Sequence, residues 1–202
     1  MTLPLQPSAA WWRQPALRGL LSVGLAIIGL ALLGWVGLTR RPPSELIITS
    51  PLAPLAYPRA AERLIAAARQ RIWLMQYVIR ADDDGVVHDL LMALVAARQR
   101  GVEVRVGLDQ GLVYGTTDRD PKNDAAAAWL QAHDITVVWD EQNRTSHAKV
   151  LLVDDEVAII GSHNWTRAAL TDNREVSVLI TDAQQLGQIH QLVLSLPGWS
   201  AP

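Results

Sequence analysis

Residues 147–164 read His-Ala-Lys-Val-Leu-Leu-Val-Asp-Asp-Glu-Val-Ala-Ile-Ile-Gly-Ser-His-Asn. Two apolar runs, 150–153 and 157–160, flank the acidic triplet Asp154-Asp155-Glu156. This is the pattern of two short strands joined by a tight turn. On a strand, residues two apart face the same side. His147 and Lys149 therefore share a face, as do Ser162 and Asn164 where the chain stays extended past Ile160. A hairpin brings the ends of its strands together. Imidazole, ammonium, hydroxyl and amide then converge, an arrangement that suits an oxyanion such as phosphate.

The chemistry follows from these groups. A phosphodiester is anionic, so an attacking group needs its charge repulsion cancelled. Lys149 offers a point charge to phosphate oxygens. Ser162 and Asn164 offer neutral donors for charge that develops in the transition state. Neutral imidazole is nucleophilic near pH 7 and can form a covalent intermediate. Departure of the leaving group then needs an acid, and a second histidine is its natural supplier. Nothing in the run needs a metal, and no cofactor is implied.

The spacing His147-x-Lys149-x4-Asp154-x6-Gly161-Ser162-x-Asn164 resembles the phospholipase D superfamily signature. The likeness extends to an apolar strand at 47–51, a second at 72–79, a helix–turn–strand over 93–109 and an Asn173-x-Glu175 element. It covers about residues 45–196. It implies that His147 is the nucleophile, that Lys149 and Asn164 hold the phosphate with Ser162, and that Asp154 positions Lys149 and the site. It also implies that Glu175 bonds the nucleophilic histidine and fixes its tautomer. Most lipid-cleaving members carry two motif copies, and the reaction uses both histidines. This chain carries one. Single-copy members, including small bacterial nucleases and the cardiolipin hydrolase group, form symmetric homodimers with the site on the two-fold axis. A homodimer with a shared site is the expectation here.

Residues 19–39 form a 21-residue uncharged run, rich in Leu, Ile, Val, Ala and Gly. As a helix it would span about 30 Å, enough for one bilayer crossing. Arg13 and Arg18 precede it, Arg40 and Arg41 follow, and Trp11, Trp12 and Trp35 suit interfacial belts. The run is longer than the core of a cleaved secretory signal and lacks a small-x-small cleavage site. The expectation is a single-pass membrane anchor with the catalytic domain outside the cytoplasm. A cleaved signal with a periplasmic or secreted domain is the alternative. The chain has no cysteine, so disulfides and thiolate metal sites are excluded. All four basic residues before position 44 are arginines, with no acid among them. Fourteen basic and 20 acidic residues follow. A domain that binds long nucleic acid usually shows a basic face, so this balance favours a phospholipid partner, with DNA or RNA as the alternative. An inactive anchored binding module is the third reading, and the complete motif argues against it.

The domain pattern alternates. Helices are expected at 59–70, 89–100, 124–133 and 183–196, and strands at 72–79, 102–108, 135–139, in the hairpin and at 175–180. This predicts a layered α/β/α sandwich with a mixed β-sheet, preceded by one transmembrane helix. Residues 1–18 are an N-terminal segment, 19–39 the anchor, 40–45 a stiff proline-containing linker and 46–197 the catalytic domain. Asp82-Asp83-Asp84-Gly85 lacks the spaced ligands of a calcium loop and reads as a turn with an Asp capping the next helix. His163 lies between Ser162 and Asn164, so strand alternation turns it away from them toward a structural or rim position. Trp165 reads equally as pocket wall or core. His88, His133 and His190 have no partner pattern. His147 with His163 lacks the ligand count for zinc, and Gly161-Ser162-His163 lacks the serine hydrolase elbow.

Overall fold

The computed structural model describes residues 44–50, 53–82, 84–113 and 116–199. The expected anchor lies outside these residues. Among them, no helix is long and apolar enough to cross a membrane.

The strands are β1 (Ser44–Thr49), β2 (Arg71–Gln76), β3 (Glu103–Leu108), β4 (Thr136–Trp139), β5 (Val150–Val153), β6 (Val157–Gly161) and β7 (Glu175–Ile180). The helices are α1 (Ala56–Ala67), α2 (Val86–Gln99), α3 (Asp124–Ala132), α4 (Arg167–Thr171) and α5 (Ala183–Leu194). The strands form one seven-stranded sheet in the order β1-β7-β6-β5-β2-β3-β4. β2, β3 and β4 run parallel, and the other neighbours are antiparallel. The expected mixed sheet is therefore present.

Strand alternation sorts the core into two layers. Ile72, Leu74, Val104, Val106, Leu151 and Ile159 pack with α1, α2, α3 and Leu170 of α4. Trp73, Met75, Val150, Leu152, Ala158 and Ile180 point the other way and pack with α5, Leu196 and Trp199. Helices thus cover both faces, but unequally.

Several boundaries differ from the sequence reading. Ser44 and Glu45, expected in the linker, begin β1, where they pair with Ile180 and Leu179. Trp199, beyond the expected domain end, is buried. α2 starts after Gly85, whose φ of 87° only glycine adopts readily, and no side chain caps it. Among the described residues, the Asp cap expected there is absent. β2 ends at Gln76, short of Ile79, because buried Asn123 diverts the chain. Its Oδ1 accepts the Ile79 N–H at 2.9 Å, and its Nδ2 donates to Tyr77 O and Asp109 O.

Candidate active site

β2, β3 and β4 end level, with Gln76 beside Leu108 and Leu108 beside Trp139. The next residues, Tyr77, Asp109 and Asp140, therefore stand in a row along the carboxyl rim of the parallel strands. That rim is where open α/β sheets place ligands. The chain re-enters the sheet as β5 over this row, and so delivers His147 and Lys149 to it. The His147 ring lies 4.4 Å from the Tyr77 ring, tilted by 53°. Lys149 Nζ sits 3.1 Å from His147 Nδ1, donates to His147 O at 2.7 Å, and lies 4.9 Å from the Tyr77 ring centre. The expected His147–Lys149 pair is thus assembled within one chain.

The proton positions follow from the partners. An ammonium has only protons to give, so Nδ1 accepts, and a neutral His147 ring carries its proton on Nε2. Lys149 is only 6% exposed. Burial lowers its pKa from the usual lysine value, and the charges of Glu175 and Asp109 oppose this. A buried cation beside an imidazole, with carboxylates near enough to be felt, is ready to exchange its contacts for an incoming phosphate.

The segment after β6 crosses the same rim. Ser162 N–H bonds Val176 O on β7, and Trp165 N–H bonds Val78 O beyond β2. Ser162 and Asn164 thereby lie beyond Gly161, whose N–H bonds Lys149 O. Asn164 Oδ1 is buried and has no hydrogen-bond partner among the described residues. Gly161 explains itself by contact, since an added Cβ would collide with the Ser177 backbone and hydroxyl and with Val176 O. Glu175 departs from expectation. Its carboxylate accepts from Ser162 Oγ and from Asn173 Nδ2 at 3.1 Å, and not from His147. Asn173 thus serves to orient Glu175.

Asp154 is a correction. It occupies the turn at the opposite end of β5 from Lys149, roughly 17 Å away for five strand residues. Its carboxylate is filled by the backbone N–H groups of Arg69, Gln70 and Arg71, at 2.9, 2.8 and 2.9 Å. Burial raises its pKa, but the three amides outweigh this and hold it below the ordinary carboxylate value. Asp154 staples the hairpin to the α1–β2 corner and does not touch the site. His163 turns away from Ser162 and Asn164, as alternation required. It is fully buried, with Nδ1 2.7 Å from Ser177 Oγ and Nε2 2.9 Å from Thr49 Oγ1, and stacks on Tyr57. Burial pushes its pKa down to about 4, against the pull of Glu175, so the ring is neutral at physiological pH. Trp165 is core, and its Nε1 donates to Tyr57 Oη at 3.2 Å.

The family profile described as "Cardiolipin synthase, PLD-like domain" matches residues 62–196. The chain belongs to the phospholipase D-like family. The human (Homo sapiens) mitochondrial cardiolipin hydrolase is 32% identical over 151 residues, covering 72% of this chain and 54% of that protein. A phospholipase D of Rickettsia bellii (strain RML369-C) is 31% identical over 121 residues, covering 59% and 53%. The chain spans about half the length of these relatives. The crystal structure of Nuc from Salmonella typhimurium, a phospholipase D family member, superposes with a TM-score of 0.60 at 26% identity. It covers 76% of this chain and 93% of Nuc.

Within this phospholipase D-like domain, sequence reasoning missed Tyr77, Asp109, Lys122, Asn123 and Asp140. A usable signal existed. Each of three successive apolar strands is followed at once by an aromatic or acidic residue, and in parallel strands those positions share one rim.

Proposed function

We propose that the protein is a membrane-anchored phosphodiesterase of phospholipase D type, acting on a phospholipid in a site shared by two copies of the chain. The observation that carries this is the pairing of His147 with buried Lys149 on the carboxyl rim, with Ser162 and Asn164 crossing it. The names of the relatives, a cardiolipin hydrolase and a phospholipase D, support the phospholipid. The apolar run 19–39 supports the anchor, with the domain outside the cytoplasm.

In this reading Nε2 of one His147 attacks phosphorus. The P–O bond to the leaving oxygen breaks as the second copy's His147 gives up its Nε2 proton. Water then attacks phosphorus, the P–N bond breaks, and the second histidine takes the water proton. Attack requires the tautomer with its proton on Nδ1. Lys149 must therefore leave Nδ1 for the phosphate, and Glu175 is the carboxylate able to receive the Nδ1 proton in hydrogen bonding. To give up its Nε2 proton without becoming an anion, the second ring must also carry a proton on Nδ1, so its Lys149 too must leave Nδ1 and the acid is an imidazolium.

The second copy is supported by an incomplete surface. Leu46, Ile48 and Val176 are 68, 52 and 51% exposed on the face that α5 covers only in part. Leu46 and Val176 line a groove with Lys149, Val178 and Leu192. An isologous partner on this strip buries apolar surface and brings a second His147 toward the first.

The test is incubation of the purified protein, with EDTA present, with labelled phosphatidylcholine, cardiolipin, DNA and RNA, beside His147→Ala. Release of a lipid product that His147→Ala abolishes supports the reading, and cleavage of nucleic acid alone overturns the phospholipid. An endonuclease is the second reading, favoured by the single copy of the motif in this sequence.

A further inference from the structure

Behind His147 lies a buried ionic cluster that the proposed reaction does not use. Asp109 and Asp140 are 1% and 3% exposed. Both accept the same backbone N–H, that of Ser146, Asp109 Oδ1 at 2.8 Å and Asp140 Oδ2 at 3.0 Å. Ser146 immediately precedes the nucleophile. Asp109 Oδ2 also takes the Gly111 N–H at 3.2 Å and pairs with Lys122 Nζ at 2.5 Å. Asp140 Oδ1 takes the Gln110 N–H at 2.8 Å. Lys122 is anchored further by Asp120 at 3.2 Å and lies 4.6 Å from the Tyr77 ring, the ring that His147 and Lys149 also touch.

Two carboxylates that meet at one N–H in a buried place do not both ionise readily. Lys122 is the cation in direct contact, and it contacts Asp109. The charge therefore belongs on Asp109, and the proton on Asp140, which can donate it to Asp109. We propose that Asp109 and Asp140 are positioning residues for His147, sharing one proton and clamping the Ser146 N–H so that the imidazole is held over the rim. The shifts agree in direction. Burial raises Asp140, and its neighbour Asp109 adds to this, while the Gln110 amide and the Ser146 side chain oppose. Burial also raises Asp109, but Lys122 and the amides of Ser146 and Gly111 prevail and lower it. The groups facing the pair are Lys122 and Gln110 from the loop after β3, Ser146 from the β4–β5 connection, and Lys149, whose charge Asp109 feels.

Loss of the shared proton at high pH puts two charges on one N–H and loosens His147. The clamp therefore adds an alkaline limb to the activity. This rests on the proposed role of His147, so the test includes a readout that needs no turnover. Full-length protein, Asp109→Asn and Asp140→Asn are compared by kcat and KM against pH with bis(p-nitrophenyl) phosphate, by melting temperature, and by amide exchange at Ser146. Asparagine at 140 keeps an acceptor for the Gln110 amide and a donor for Asp109, and leaves the Ser146 N–H to Asp109. It should keep Ser146 protected through Asp109 and move the alkaline limb upward. Asp109→Asn loses the Lys122 partner and should lower kcat by about 100-fold, the scale of a small misplacement of a reacting group, with KM little changed and Ser146 exchange faster. An unmoved alkaline limb in Asp140→Asn overturns the shared proton. Unchanged kcat or unchanged Ser146 exchange in a folded Asp109→Asn overturns the clamp. If Asp109→Asn does not fold, the Asp140→Asn profile and its Ser146 exchange decide. If the wild type turns over no phosphodiester, the proposed function fails, while Ser146 exchange still tests the clamp.

Discussion

Among the described residues, one face of the sheet lies beneath α1, α2, α3 and α4, whereas the other is covered by α5 with Leu196 and Trp199. On the first face Ile65, Leu74, Leu91 and Leu94 are wholly buried. On the second, Leu46, Ile48 and Val176 are half or more exposed. The strands do not differ to match. β1 carries Leu46-Ile47-Ile48, apolar on both faces, and β7 turns Val176, Val178 and Ile180 toward the α5 side. Among the described residues, nothing covers this apolar surface. The bare strip adjoins the groove reaching Lys149, so in the proposed reading the missing cover and the missing acid come from the same second copy.

The comparison can be broken most severely on the bare face. Leu46→Glu combined with Val176→Glu should leave the fold intact by circular dichroism and give a monomer on sedimentation. Activity should fall by about 100-fold or more, the usual worth of a general acid. A fully active monomer would detach the strip from the site. On the covered face the effect should be one of stability. Leu91→Ala should cost about 2–5 kcal/mol in urea unfolding, through the transfer and cavity terms of a buried leucine.

A smaller loss is expected at the hairpin turn. Asp154→Ala leaves three backbone amides without their acceptor and should cost about 1–3 kcal/mol, with activity falling only as the folded fraction falls. The sign with pH is fixed by the depressed carboxyl. Its contribution is complete above the unfolded pKa and disappears as pH falls through the folded one. Urea unfolding from neutral to acid pH should therefore find the gap between wild type and Asp154→Ala narrowing toward acid.

The smallest effect belongs to His163, which ties β1 to β7 between the two layers. Its folded pKa of about 4 lies below the ordinary 6.5. The unfolded chain takes up a proton first as pH drops, so stability declines through that window. His163→Gln keeps hydrogen bonds toward Thr49 and Ser177 and should flatten the decline in urea unfolding measured at pH 7 and pH 5.

The same contrast explains what could be read from sequence. His147, Lys149, Ser162 and Asn164 were legible because one hairpin holds them all, and strand alternation also turned His163 the right way. The hydrophobic period located the sheet and its principal helices. α4, five residues long, is too short to show that period. Asp154 was misplaced because its turn is local while its three amide partners lie 83 to 85 residues earlier. Asp109 and Asp140 escaped because each follows a different strand, and only the parallel order β2-β3-β4 brings them to one N–H. The expected Glu175–His147 bond is replaced by the nearer hydroxyl of Ser162.

The central claim, one site built from two copies, is tested most directly by mixing. Wild type and His147→Ala are co-expressed at graded ratios, and phosphodiesterase activity is measured against the wild-type fraction. A shared site that needs both histidines predicts activity falling as the square of that fraction. A linear fall would show that each chain works alone, and would contradict the account.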